Sequence, residues 1–169
     1  MKLAVIGCGV AGISALNKAR MLDKDLEIVA LDQRQKSEWQ ALYPEVLSGK
    51  VKAEETAFSI PEFASRRGIE FIDERVIELK LREKIALTTR RQIEFDSVIL
   101  AAGAVANYYG IAGAENCFSV NSLEDTLRTK QVLAGIGSGD SIAVIGAGST
   151  GVEITGELLE IFKGRVNIS

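Results

Sequence analysis

The stretch VIGCGVAG, residues 5–12, places three glycines in the spacing Gly-x-Gly-x-x-Gly between two patterned segments. Before it, Lys2–Ile6 is a short apolar run that predicts a buried strand. After it, the apolar residues of Val10–Leu22 recur at helical spacing and predict a helix. A second apolar run, Leu26–Leu31, completes a β–loop–α–β pattern with the length of one βαβ unit.

The glycines and one acidic residue predict a dinucleotide site in this unit. Gly7 permits a tight turn, Gly9 lets a pyrophosphate approach the backbone, and Gly12 lets the helix pack close to the strand. The diphosphate then lies at the positive N-terminal end of the helix. Asp32 follows the second strand, where its carboxylate can accept hydrogen bonds from a ribose 2′-hydroxyl. These residues alone leave both NAD and FAD open as the ligand.

The composition excludes several classes of function. The chain has 169 residues, a net charge of −3 and no basic block longer than Arg90-Arg91, which argues against a nucleic-acid-binding surface. It contains no histidine, which excludes Ser-His-Asp and Cys-His catalysis and histidine metal sites. Cys8 and Cys117 form no redox or metal motif, so we expect two reduced, mostly buried thiols in a cytoplasmic protein without a metal. The longest apolar run, 98–106, is too short to span a bilayer.

The middle of the chain predicts the rest of an α/β domain. Residues 33–57 are polar and irregular, and Tyr43-Pro44 is expected to break regular structure. A helix over Ser59–Arg67, with Pro61 in its first turn, and a third strand over Ile69–Ile72 follow. Three short alternating segments then predict an antiparallel meander over the main sheet: Arg75–Arg82, Lys84–Thr89 and Gln92–Phe95.

After the meander, the uniformly apolar Ser97–Ala102 predicts another buried parallel strand. Gly103–Cys117 has no helical period and predicts a crossing loop. Ser122–Leu133 starts with a capping pattern and predicts a helix, and the glycine-rich Gly135–Asp140 marks the candidate domain boundary. The pattern then restarts with a strand, a glycine loop, a helix and a strand, over Ser141–Ile145, 146–151, Thr150–Phe162 and Arg165–Ile168.

The second glycine loop repeats the first motif. It contains Gly146, Gly148, Ser149, Thr150 and Gly151, and the position that matches Asp32 lies just beyond Ser169. We therefore expect the chain to be the N-terminal piece of a longer protein, although a native short protein remains an alternative. Thr150 can donate to a phosphate at the helix start. For Glu153 two interpretations stay open, a carboxylate facing the reacting cofactors or a glutamate that complements the helix dipole.

Four segments together resemble one family, the type II NADH:quinone oxidoreductases and related FAD-dependent reductases of the pyridine nucleotide-disulfide oxidoreductase superfamily. Two departures are visible, Ala102 where threonine is usual and Ser149 where proline is usual. The resemblance covers the whole chain but only the N-terminal portion of a family member. Its segments are VIGCGVAG, ALYPEVLSGKV (41–51), FDSVILAAGAVANYYGIAGAEN (95–116) and VIGAGSTGVEITGELLE (144–160).

The resemblance implies a Rossmann-like FAD-binding domain over 1–135, including a crossover loop and helix over 103–134. It implies a truncated NAD(P)H-binding domain over 136–169. Glu153 matches a carboxylate near the nicotinamide and flavin. FAD would contact Gly7, Gly9, Val10, Ala11, Gly12, Asp32, Gln33, Arg34, Val76, Ala101, Ala102 and Gly103, and NAD(P)H would contact Gly146, Gly148, Ser149, Thr150 and Gly151.

The activity that the resemblance implies is hydride transfer from NADH to the flavin, followed by electron transfer to a quinone. The full-length protein would lie peripherally on the inner face of the membrane, with a homodimer as a further possibility. Two alternatives stay open: a non-catalytic FAD- or NAD-binding module, and another reductase of the superfamily, such as an NADH oxidase or a ferredoxin or rubredoxin reductase. We also expect strand Ser141–Ile145, from this chain or a neighbour, to cover an exposed edge of the first sheet.

Overall fold

The computed structural model describes the whole chain, residues 1–169. Its first half contains β1 (Lys2–Ile6), α1 (Val10–Leu22), β2 (Glu27–Asp32), β3 (Lys36–Glu38), α2 (Tyr43–Ser48), β4 (Ala57–Ser59), α3 (Ile60–Arg66), β5 (Glu70–Asp73) and β6 (Val76–Lys80). Its second half contains β7 (Ile85–Thr88), β8 (Gln92–Glu94), β9 (Ser97–Leu100), α4 (Leu123–Leu133), β10 (Ser141–Ile142), α5 (Ser149–Phe162) and β11 (Asn167–Ile168). None of the helices combines the length and the apolar character needed to cross a membrane.

The first of two compact units comprises Met1–Glu38 and Ala57–Ala104. Its centre is a sheet of four parallel strands in the order β5-β2-β1-β9. Strands β1 and β2 are almost continuously buried, as their uniformly apolar sequences predict for a parallel sheet covered on both faces. The structure therefore confirms the predicted α/β fold.

Alternate residues of the two central strands supply the two cores. On one face, Leu3, Val5 and Ile28 pack with Leu16 of α1 and Ile60 of α3. On the other face, neighbouring residues pack against the antiparallel sheet β6-β7-β8, whose buried members include Ala86 and Ile93. The predicted meander over the main sheet is confirmed, and the helices lie on the opposite face.

Residues 33–57 are more regular than their sequence predicts. Strands β3 and β4 form a short antiparallel pair, and α2 begins at Tyr43, with Pro44 in its first turn. Proline fits there because the first N–H groups of a helix have no intrahelical acceptor. The prediction that Tyr43-Pro44 breaks regular structure is therefore wrong. In α3, by contrast, Pro61 lies in the first turn as predicted, and Ser59 caps the helix, its Oγ accepting from the Glu62 N–H at 3.3 Å.

The second unit comprises Trp39–Thr56 and Val105–Ser169. Helix α2 contacts both α4 and α5, and its residues Tyr43, Val46 and Leu47 are buried. The Lys130 Nζ donates to the Val46 carbonyl at 2.7 Å, near the C-terminus of α2, where a cation is favourable. The segment between β3 and β4 is thus part of the core of the second unit. This division differs from a boundary at residue 135, which remains a prediction.

Strand β10 pairs in parallel with β11 and with no strand of the four-stranded sheet. The pairing continues beyond Ile142, since the Val144 N–H donates to the Ser169 carbonyl at 2.8 Å. Residues of α5 and both strands, including Leu158 and Phe162, form the local core. The expectation that Ser141–Ile145 of this chain covers the edge of the first sheet is therefore wrong, because β11 supplies a nearer partner.

Replacing Ser122 by alanine should destabilise the second unit. The Ser122 Oγ accepts from the Asp125 N–H at 3.1 Å and caps α4, and losing such a cap costs about 1 kcal/mol. Urea unfolding followed by hydrogen exchange of the α4 amides measures the loss. Ser138, which is exposed and makes no hydrogen bond, is the control for the same substitution. Equal stability of the Ser122→Ala and Ser138→Ala variants would contradict the assigned cap.

Candidate dinucleotide-binding sites

The predicted residues of the first site gather along one edge of the four-stranded sheet. All four strands are parallel, so their carboxyl ends meet at the same edge. Following the strand order, this edge carries in turn the segment after β5, the segment after β2, the glycine loop after β1 and the segment after β9. Ligands of open α/β sheets bind at such carboxyl ends. In the same order, the predicted site residues on these four segments are Val76, then Asp32, Gln33 and Arg34, then Gly7, Gly9, Val10, Ala11 and Gly12, then Ala101, Ala102 and Gly103.

Two of the three loop glycines are required by close backbone contacts. Gly7 has φ +93°, and a Cβ there would lie 2.2 Å from the Ala101 carbonyl oxygen. A Cβ on Gly12 would lie 1.8 Å from the Gly7 carbonyl oxygen. The backbone of the glycine loop therefore packs against the first turn of α1 on one side. On the other side it packs against Ala101 and Ala102, which follow β9 and are called the β9 extension. This geometry agrees with the roles predicted for Gly7 and Gly12.

The third glycine, Gly9, faces open space. No atom lies within 4 Å of a Cβ built on it, and it is the N-cap of α1 without a side-chain cap. The first i→i−4 hydrogen bond of the helix runs from Ile13 to the Gly9 carbonyl at 2.9 Å. The N–H groups of Val10 and Ala11 precede that bond, and no acidic side chain lies in the first turn. An open backbone cradle at an uncapped helix N-terminus fits a diphosphate.

Asp32 is already engaged by the protein itself. The residue is 8% exposed, and its carboxylate accepts two hydrogen bonds, Oδ2 from the Cys8 N–H at 2.7 Å and Oδ1 from the Arg34 N–H at 2.9 Å. The Arg34 guanidinium also lies 3.6 Å from Oδ1. Asp32 thus ties the end of β2 to the glycine loop. Each carboxylate oxygen has a second lone pair, so contact with a ribose remains a prediction.

The two cysteines differ in environment. Cys8 is fully buried, and burial together with the nearby Asp32 charge raises the pKa of its thiol to about 12. The thiol therefore stays protonated at neutral pH and is a poor nucleophile. Cys117, predicted to be buried, is exposed because it follows a short 3₁₀ turn in the crossing loop.

Other predicted residues of the first site are placed less tightly. Gln33 and Arg34 are exposed beside Asp32. Val76 is half-buried at the start of β6 and packs on the core beneath the meander. Ala102 and Gly103 are exposed, and Gly103 has φ +74°. They share the edge with the glycine loop, and their contact with a cofactor remains a prediction.

The second glycine loop repeats the geometry of the first. A Cβ on Gly151 would lie 1.9 Å from the Gly146 carbonyl oxygen, and Gly146 has φ +119°. Gly148 is the N-cap of α5 without a side-chain cap, and no atom lies within 4 Å of a Cβ built on it. Unlike Gly7, Gly146 has no backbone atom within 4 Å of a Cβ built on it. The second unit therefore carries a second open cradle at a helix N-terminus.

The polar residues of the second loop are available to a ligand. Ser149, Thr150 and Glu153 are all exposed. Glu153 is the fifth residue of α5, and the first turn contains no acid. The interpretation that Glu153 complements the helix dipole is weakened, because that effect is confined to the first turn. The side chain of Glu153 makes no hydrogen bond or ion pair.

Sequence reasoning missed two polar features of the first site. One is the hydrogen bond between Asp32 and the Cys8 N–H, which the position of the acid after β2 could have suggested. The other is the buried Glu74, two residues before Val76, which Thr88 and Arg91 contact. No motif in the sequence marks that cluster, because its members meet only when the meander folds.

Comparison with known proteins agrees with this geometry. The family model described as pyridine nucleotide-disulphide oxidoreductase matches residues 1–168. The chain belongs to this family. Its members use FAD and NAD(P)H and are oxidoreductases, so the predicted resemblance and cofactor classes are confirmed at the level of the family.

Named relatives of the chain include a Bacillus subtilis "NADH dehydrogenase-like protein YutJ", 25% identical over 94% of the chain and 45% of the relative. The "type II NADH:quinone oxidoreductase" of Staphylococcus epidermidis is 24% identical over 94% of the chain and 43% of its own length. Among solved structures, the sulfide:quinone oxidoreductase of Aquifex aeolicus gives a TM-score of 0.86 at 25% identity, covering 98% of the chain and 41% of that protein. The chain spans less than half the length of these relatives.

Replacing Gly12 by alanine should lower the free energy of unfolding of the first unit, whereas replacing Gly9 by alanine should leave it unchanged. A methyl group on Gly12 meets the Gly7 carbonyl, and such overpacking costs about 1–3 kcal/mol, whereas Gly9 has φ −70° and open space. Urea unfolding of both variants measures the difference. Equal urea midpoints for Gly12→Ala and Gly9→Ala would contradict the close backbone contact between Gly12 and Gly7.

In the native chain, a disulfide reagent at pH 8 should modify Cys117 and leave Cys8 intact. The Cys8 pKa of about 12 keeps that thiol protonated, and burial blocks access. We expect one rapidly reacting thiol in buffer and two in denaturant, with the rapid one lost in Cys117→Ser. Rapid reaction of Cys8 in the folded Cys117→Ser variant would contradict its burial.

Proposed function

We propose that this chain holds FAD on its first glycine loop and NAD(P)H on its second, and that it serves hydride transfer from NAD(P)H to flavin and electron transfer onward to a quinone. The observation that carries the proposal is the repeat of one backbone geometry, an open cradle at an uncapped helix N-terminus, in each of the two units. One such cradle serves one dinucleotide. A chain with two such cradles can bind two dinucleotide cofactors, as an enzyme that transfers a hydride from one to the other requires.

The strand order supports one orientation of the proposed FAD along the sheet edge. The diphosphate would bind at α1, with the N–H groups of Val10 and Ala11. The adenosine would lie towards β2 and β5, where Asp32 can accept from its ribose. The flavin half would lie towards β9, whose extension packs tightly on Gly7. A bound flavin supplies the hydride acceptor, and the residues along the edge hold and orient it.

The second loop would bind the diphosphate of NAD(P)H through the N-terminus of α5. Thr150 would donate its hydroxyl to a phosphate oxygen, and the exposed Glu153 would position the nicotinamide by accepting a hydrogen bond. Neither role requires a nucleophile, in agreement with the protonated Cys8 thiol. A quinone is proposed as the acceptor because several relatives are named quinone oxidoreductases. A cytoplasmic location at the inner face of the membrane is part of the same proposal.

Valine substitutions at the two open glycines should separate the two nucleotide sites. Gly9 and Gly148 both have backbone angles that valine can adopt and no atoms nearby, so the fold should persist. In Gly9→Val the side chain would displace a diphosphate from α1. Because charge interactions at a helix N-terminus contribute up to about 2 kcal/mol, FAD affinity should fall up to ~30-fold. Gly148→Val should keep FAD and weaken NADH binding.

The measurements are FAD affinity by flavin fluorescence and anaerobic bleaching of bound flavin by NADH, each on the purified chain. Reduction of bound flavin supports the enzyme, whereas FAD binding without reduction favours the non-catalytic module. Unchanged FAD affinity in folded Gly9→Val would refute the assignment of FAD to the first loop.

A further inference from the structure

We infer that Glu74 is a positioning residue for the adenosine half of the cofactor on the first glycine loop. The inference rests on the proposed function and adds a residue that no motif marks. Glu74 follows β5 directly, at the carboxyl-end edge of the four-stranded sheet. Its side chain is 1% exposed, although it belongs to a short connection between two strands.

The buried carboxylate of Glu74 joins two separate turns. One oxygen accepts from the Thr88 hydroxyl, and the other lies 2.6 Å from Nη2 of Arg91 and 3.4 Å from Nε of Arg90. Thr88 in turn accepts from the Arg91 N–H at 2.9 Å. We call Glu74, Thr88, Arg90 and Arg91 the Glu74 clamp. The clamp fastens the β7–β8 turn to the segment that leaves β5.

Polar contacts continue from the Glu74 clamp to the glycine loop. Arg90 donates to the Asp73 carbonyl at 2.8 Å, and the Asp73 carboxylate accepts from the Gln35 side-chain amide at 2.8 Å. Asp73 pairs in register with Asp32, the last residue of β2. Asp32 binds the N–H of Cys8 within the loop. The clamp therefore holds the segment that leaves β5, and Asp73 links that segment to the end of β2, where the proposed function puts the adenosine.

Two guanidinium groups and one hydroxyl face the Glu74 carboxylate, and they favour its ionised form. The Thr88 hydroxyl is the main cause of a lowered Glu74 pKa, and the Arg91 and Arg90 guanidinium groups add to it. Replacing Glu74 by glutamine keeps the shape but removes the charge that holds two arginines. Both arginines are half exposed or more, so each can turn into solvent once released. The β7–β8 turn and the Asp73 carbonyl would then lose their common anchor.

The test is the affinity of the purified chain for ADP and for FAD in Glu74→Gln. We expect both dissociation constants to rise by a similar factor, about 2- to 30-fold, since changes transmitted through a contact network fall in that range. Thr88→Val removes the hydroxyl contact of the same carboxylate and should shift both constants in the same direction. Glu78→Gln, on the exposed face of β6, is the matched control and should leave them unchanged.

Calorimetric stoichiometry separates positioning from general destabilisation. A merely structural role lowers the fraction of binding-competent protein and leaves the dissociation constant of the remainder unchanged, whereas positioning changes the constant at full stoichiometry. Unchanged constants in folded Glu74→Gln would overturn this inference while FAD binding by the parent chain still stands. Failure of the parent chain to bind FAD would overturn the proposed function itself.

Discussion

The backbone contact between Gly7 and Gly12 governs the first site. A side chain on Gly12 would meet the Gly7 carbonyl at 1.8 Å, so the helix can start this close to the strand only with glycine at that position. The close start places the N–H groups of α1 at the end of β1, in line with the ends of β2, β5 and β9. The same contact recurs between Gly146 and Gly151 at 1.9 Å. One backbone solution thus generates both candidate cradles.

The two cradles differ in what surrounds them. The first lies under the β9 extension, since Gly7 packs against Ala101, and it is tied from the side by Asp32. The second has an open Gly146 and a short parallel pair, β10 and β11, as its sheet. The first site is therefore held by contacts on three sides of the turn.

Much of the first unit could be predicted from sequence because its signals are local. Uniform apolar runs specify β1, β2 and β9, and glycine spacing specifies the turns. The burial predicted for β9 is wrong, because β9 is an edge strand of the sheet and both Ile99 and Leu100 are exposed. The segment 39–56 could not be predicted in this way, because α2 is stabilised by packing on α4 and α5, which are distant in sequence. The partner of β10 was missed for the opposite reason, because β11 is nearer along the chain than the edge of the first sheet. The Glu74 clamp forms only when two separate turns meet, so its residues carry no pattern.

The most direct test of the central claim is a titration of the ¹⁵N-labelled chain with FAD, followed by amide NMR. With FAD on the first cradle, the largest shift changes occur at Gly9, Val10, Ala11 and Gly12, with smaller changes beside Asp32, and NADH shifts the amides of Gly148–Gly151. Changes confined to the second loop on addition of FAD, or no change in the first loop at saturating FAD, would contradict the assignment of the first cradle to FAD.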